Sequence, residues 1–151
     1  MPSRVVDHLL FLNEQSPVSG RHAVLAAEDD SLWLYLTKES SPTPERDCWV
    51  LNLPSAPPDP DLELYQKAIA PPPAPAAMIE ARGVRALSKA DRWSFRWSED
   101  GHAAAAVLNG FPVAFVVAGR KRGFSRYLRA KCDWGNAWDE TLFARLFPKA
   151  A

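Results

Sequence analysis

Residues Trp93 to Leu128 read WSFRWSEDGHAAAAVLNGFPVAFVVAGRKRGFSRYL, and this pattern admits one kind of structure. Three turn signals divide it: Ser98-Glu99-Asp100-Gly101, Asn109-Gly110, and Gly119 to Gly123. An Asn-Gly pair between apolar runs is a strong hairpin signal, because both residues tolerate the positive φ of a two-residue turn. A strand meander is expected. Trp93, Phe95 and Trp97 would share one face, with Ser94, Arg96 and Ser98 on the other. Ala103 to Ala106 has a helix-forming composition, but the flanking turns and the β-rich FPVAFVV argue for a strand of small side chains. Such a strand lets another element approach closely.

The N-terminal half reads similarly. Val6 to Gln15 fits a helix through Leu9 and Leu12 or an alternating strand, of which the strand is expected; a turn at Ser16 to Gly20 and a hairpin partner at Arg21 to Ala27 follow. The acidic turn Glu28 to Ser31 leads into Leu32 to Lys38, apolar on both faces and so expected to be central and doubly covered. After a Pro/Ser loop at Ser40 to Pro44, Glu45 to Leu53 places Asp47, Trp49, Leu51 and Leu53 on one face, opposite Cys48 and Val50.

Residues 54–75 hold 8 of the 14 prolines, which donate no ladder hydrogen bond, so no sheet strand crosses here. This connector is expected to be a stiff crossover between two halves of one sheet. Within it, Asp61 to Ala70 predicts a short helix with Pro60 at its start, and Pro71 to Pro73 end it in an extended segment. Met78 to Lys89 predicts a turn or short helix. A C-terminal helix is expected over Ala137 to Phe147, with Asn136 as N-cap, Asp139 and Glu140 in the first turn and Pro148 beyond. The fold class is α+β: a mainly antiparallel, twisted sheet of about seven or eight strands with that helix packed on it. At 151 residues the chain fits one domain, 1–151.

Net charge is zero, yet residues 1–70 hold 11 acidic and 5 basic side chains (−6), whereas residues 71–151 hold 7 acidic and 13 basic (+6). Such asymmetry either steers partners or is neutralised within one compact fold. No apolar run approaches the length a membrane helix needs, so no membrane role is expected. The N-terminus lacks the pattern of a signal peptide, and the two cysteines, Cys48 and Cys132, are read as reduced thiols in the cytoplasm.

Catalytic chemistry needs convergent groups, and the sequence offers none. His8, His22 and His102 stand singly beside turns, and the acidic clusters lack the ligand count of a calcium loop. No metal and no cofactor is expected. The distinctive surface feature is the basic stripe Arg120, Lys121, Arg122, Arg126, Arg129 and Lys131, interleaved with Phe124 and Tyr127. With Tyr127 included, these cations are the candidate partner-binding residues. An acidic protein surface, nucleic acid, and a merely solvated edge strand are the three readings of the stripe. On the strand after the turn, Phe124, Arg126 and Leu128 should share one face, and Ser125, Tyr127 and Arg129 the other.

The segments WSEDGHAAAAVLNGFPVAF (97–115) and KRGFSR (121–126) resemble a bacterial family classed as domain of unknown function 2251. SPVSGRHAVLAAEDD (16–30) resembles its first hairpin and acidic turn. Ser31 and the long proline-rich connector depart from the pattern. The resemblance implies fold kinship and transfers no activity. The functional expectation is a small non-enzymatic binding protein acting through a protein–protein surface, an immunity protein that occludes a toxin being its specific form. The alternative is a nucleic-acid-binding module using the stripe at 120–131.

Overall fold

A computed structural model describes residues 10–149. Among the described residues nine strands form two sheets. The first is an antiparallel meander of β1 (Phe11–Gln15), β2 (His22–Ala27), β3 (Ser31–Thr37) and β4 (Pro44–Asn52). The second holds β5 (Trp93–Trp97), β6 (Ala103–Leu108), β7 (Phe111–Val117), β8 (Phe124–Ser125) and β9 (Asn136–Ala137), antiparallel except for the β8–β9 pair. The helices are α1 (Leu62–Ala68), in the connector, and α2 (Glu140–Leu146).

The meander expected over 93–128 is present, and its Asn-Gly turn works as the residues predict: Asn109 has φ 51° and Gly110 φ 82°. The Asn109 carboxamide also accepts the Arg92 N–H and donates to Asp91, fastening the strand ends. The first half is likewise a run of hairpins, with β3 central between β2 and β4. The part of the Val6 to Gln15 reading at residues 6–9 lies outside the described residues.

The single sheet is corrected to two. The proline-rich connector leaves β4 and delivers the chain to a separate sheet, so the halves stack face to face. One core cluster joins Leu25, Leu34 and Leu36 of the first sheet to Ala104, Ala106, Val113 and Val116 of the second. Every residue of β6 is buried. Ala104 and Ala106 face the first sheet, while Ala103 and Ala105 meet Phe143 and Phe147 of the helix layer. The small side chains allow this close approach on both faces, as their run predicts. Packing Leu142, Phe143 and Phe147 against Ala103, Ala105, Phe115 and Phe124 supplies α2 with most of its stability, since seven residues alone would not hold a helix in water.

Three local readings are also corrected. Residues 136 and 137 form β9, because the Asn136 N–H donates to Gly123 O and its carboxamide to Arg122 O. The helix therefore starts later, with Asp139 as N-cap accepting from Leu142 N. In β4, Leu32 pairs with Leu51 and Trp33 with Trp49, leaving Val50 as a bulge. Since neighbouring strand residues point to opposite faces, Trp49 and Leu51 do not share one. Finally α1 is shorter than expected: Asp61 caps it, and Ile69 turns into the left-handed region at φ 54°. Residues 76–78 and 81–83 form single 3₁₀ turns.

The connector is pinned rather than loose. Asn52 donates to Ala74 O and accepts from Ala74 N, and the Trp134 indole donates to Pro72 O. At the far end of the sandwich the hairpin tips meet, where the Ser19 hydroxyl donates to Gly101 O. Arg21 is buried beside them and donates to His102 Nδ1, Thr37 O and Glu45.

Candidate functional site: a basic groove beside the β7–β8 loop

The basic stripe begins in the loop between β7 and β8, and Gly123 sets the loop's path. A Cβ there would sit 2.6 Å from Cys48 Cβ and 2.8 Å from Phe115 O, so only glycine lets the chain pass over β4 and β7. The loop tip, Arg120 to Arg122, stands over an open groove of about 780 Å³. Phe124, Ala137 and Trp138 contribute apolar wall, and Lys131 joins the three loop cations in its lining. The parallel β8–β9 pair brings Trp138 and Lys131 to this place.

Below the groove is an aromatic cluster. Phe124 stacks on Phe115 with centroids 4.7 Å apart, and Phe115 meets Trp138 edge-on at 5.2 Å. Arg126 closes the cluster: its guanidinium lies 3.7 Å from the Trp138 ring centroid and 4.4 Å from that of Phe111, and it donates twice to Pro112 O.

The stripe is thus three groups in space. Arg120, Lys121, Arg122 and Lys131 line the groove. Arg126 is held inside the aromatic cluster. Tyr127 is buried at 7% exposure, packed against Gly83 under the Arg82 guanidinium, and Arg129 donates from Nε to Ile79 O. The expected alternation holds for Phe124 and Arg126 and ends there. β8 stops at Ser125, a turn follows with Leu128 N donating to Ser125 O, and Leu128 joins Tyr127 in the inter-sheet core.

Acids also edge the groove, but each is engaged. Asp139 caps α2, Glu140 accepts from the Trp138 indole and lies 3.8 Å from Arg126, and Asp133 pairs with Arg122 at 3.5 Å. Among the described residues Arg120, Lys121 and Lys131 form no ion pair, and the four lining cations outnumber the lining acids Asp139 and Glu140, so the groove is net positive. Trp138 and Glu140 escaped the sequence reading of the site, because a two-residue parallel ladder leaves no periodic signal.

Elsewhere the chemistry is sparse. Among the described residues no group of three or more His, Cys, Asp or Glu side chains is placed to hold a metal ion. Cys48 is fully buried, its thiol donates to Trp49 O, and burial pushes its pKa well up, which disfavours the nucleophilic thiolate. His102 accepts the Arg21 Nε–H, an arrangement that requires an unprotonated Nδ1. No described helix is long and apolar enough to cross a membrane.

No family model, no curated protein and no solved structure matches the chain.

Proposed function

We propose that the chain is a non-enzymatic binding protein whose basic groove docks an acidic surface of another protein, an immunity protein that occludes a toxin being the specific form of this reading. The observation that supports it is the set of three cations, Arg120, Lys121 and Lys131, that form no ion pair among the described residues and stand beside the partly exposed Ala137 and Trp138. Apolar contact at the centre and charge at the rim is the arrangement of a protein interface, and the charge speeds capture. Kinship with the family classed as domain of unknown function 2251 belongs to the same proposal and rests on the motifs at 97–115 and 121–126.

A rescue assay tests the reading. Cells expressing a secreted effector encoded beside this chain should survive with the wild-type chain, and survive less with the R120S/K121S/R122S variant. No rescue, together with purification free of any acidic protein, would discard it. Nucleic acid is the competing occupant, and the burial of Phe124 and Tyr127 counts against it by removing two stacking platforms. A mobility shift of DNA or RNA that fades with rising salt would favour it instead.

A further inference from the structure

The connector helix α1 leaves its apolar side chains in solvent. It has no buried residue; Leu62 is 50% exposed, Leu64 62% and Ile69 92%. Ile69 is also in the left-handed region, which a β-branched residue rarely adopts. The helix is nonetheless well anchored. The Tyr65 hydroxyl donates to Asp30 Oδ2 at 2.6 Å, Ser55 donates to the other Asp30 oxygen, and prolines stiffen the chain before and after it. An exposed apolar element presented so rigidly has the form of a ligand, because its ordering cost is met before binding.

Its charge says what it fits. Asp59, Asp61 and Glu63 surround its first turn; Lys67 pairs with Glu63, while Asp59 and Asp61 form no ion pair among the described residues. An apolar helix with an acidic end calls for a basic groove with an apolar wall, and this chain carries a mainly polar groove in which Arg120, Lys121, Arg122 and Lys131 outnumber the acids Asp139 and Glu140 and Ala137 and Trp138 supply the apolar wall. Within one molecule no described hydrogen bond or ion pair joins the two, and Asp30 fastens α1 to the β2–β3 turn instead. We propose that α1 of one copy docks in the basic groove of a second copy. The proposal rests on the reading of the groove as a docking surface for acidic protein segments, and it names one such segment. The contact is between unlike surfaces, so reciprocal exchange closes a twofold dimer and a single exchange extends a chain of copies. A tighter acidic partner would compete with α1 for the groove.

Sedimentation velocity of the full chain at low and high ionic strength tests this. Self-association is expected at low salt and should weaken as salt rises. Variants L64D/I69D and R120E/K121E should each weaken it by about tenfold or more, as loss of a central apolar contact or of steering charge does. Circular dichroism serves as the folding control, which these exposed positions should pass. Mixing R120E/K121E with D59K/E63K should restore association between the two variants. A chain that stays monomeric at every salt and concentration, or variants that self-associate as wild type does, would overturn the proposal. Titration with polyglutamate separates the two readings. If it binds wild type but not R120E/K121E while the chain remains monomeric, the dimer fails and the groove reading stands. If it does not bind at all, the groove reading fails as well.

Discussion

The guanidinium of Arg126 lies flat enough over Trp138 to bring its central carbon within 3.7 Å of the ring centroid, and this pair holds the wall of the groove. Arg126 donates to Pro112 O from both Nε and Nη2, so its plane is fixed by hydrogen bonds on one edge and by rings on its faces. Replacement by Ala removes a cation–π contact and leaves Pro112 O without those donors. It should destabilise the fold by about 2 kcal/mol. Lysine should recover only part of this, because an ammonium cannot stack or fork. Urea unfolding of the two variants measures the difference.

The loop cations should behave oppositely. Arg120 and Lys121 are exposed, and the Arg122–Asp133 pair is a surface contact at 3.5 Å. The R120S/K121S/R122S variant should stay within about 1 kcal/mol of wild type. Association with an acidic partner should slow, which stopped-flow rates at two ionic strengths would show. A variant that unfolds, or one that binds with unchanged rate and salt dependence, would contradict the assignment of these side chains.

Phe124 supports the groove from below. It is 7% exposed and stacked on the fully buried Phe115. Phe124→Ala should cost about 3 kcal/mol or more, since the ring is enclosed by Phe115, Trp138 and α2 and the space cannot easily collapse. Thermal or urea unfolding measures it; a loss under about 1 kcal/mol would show that the cluster repacks.

Local chemistry made much of this fold legible and left its assembly hidden. The turns at Ser98 to Gly101 and Asn109-Gly110 and the alanine strand could be read because each signal lies within a few residues. Whether consecutive hairpins continue one sheet or begin another is decided by the connector's path, and proline content limits that path without choosing it. The start of α2 is ambiguous in the sequence because Asn136 and Asp139 are both good caps; the backbone bond from Asn136 N to Gly123 O decides between them. At the site, composition revealed the cations. It could not reveal that Arg126 belongs to an aromatic cluster or that Tyr127 turns inward, since both depend on contacts with remote residues: Trp138 for one, Gly83 and Arg82 for the other.

Acid should weaken the fold through two aspartates. The Asn109 amide, with Arg85 beside it, holds the Asp91 carboxyl below its ordinary range against the opposing effect of burial. The backbone N–H of His102 and the Ser98 hydroxyl do the same for Asp100. A folded-state value below the unfolded one, about 3.9 for Asp, stabilises the native state above that pH. This contribution is lost as pH falls through the folded value. Asp91→Asn should therefore be less stable than wild type at pH 7, and the gap should narrow below about pH 4. Denaturant titrations at the two pH values decide it, and a gap independent of pH would assign the loss to packing instead.

Two glycines at the ends of one loop make the final comparison. Gly119 has nothing within 4 Å of the position a Cβ would take, and its φ lies outside the left-handed region. Gly119→Ala should be neutral or stabilise by about 0.5 kcal/mol through the unfolded chain. At Gly123 the same methyl group would fall 2.6 Å from Cys48 Cβ, 2.8 Å from Phe115 O and 2.9 Å from Val116 Cγ1. These atoms belong to packed strands and cannot retreat, so the loop must move, at about 1–3 kcal/mol. That movement carries Arg120 and Arg122 with it. Gly123→Ala should therefore lose both unfolding free energy and affinity for polyglutamate, whereas Gly119→Ala should keep both. Equal effects of the two substitutions would mean that the close passage of Gly123 over Cys48 does not position the groove.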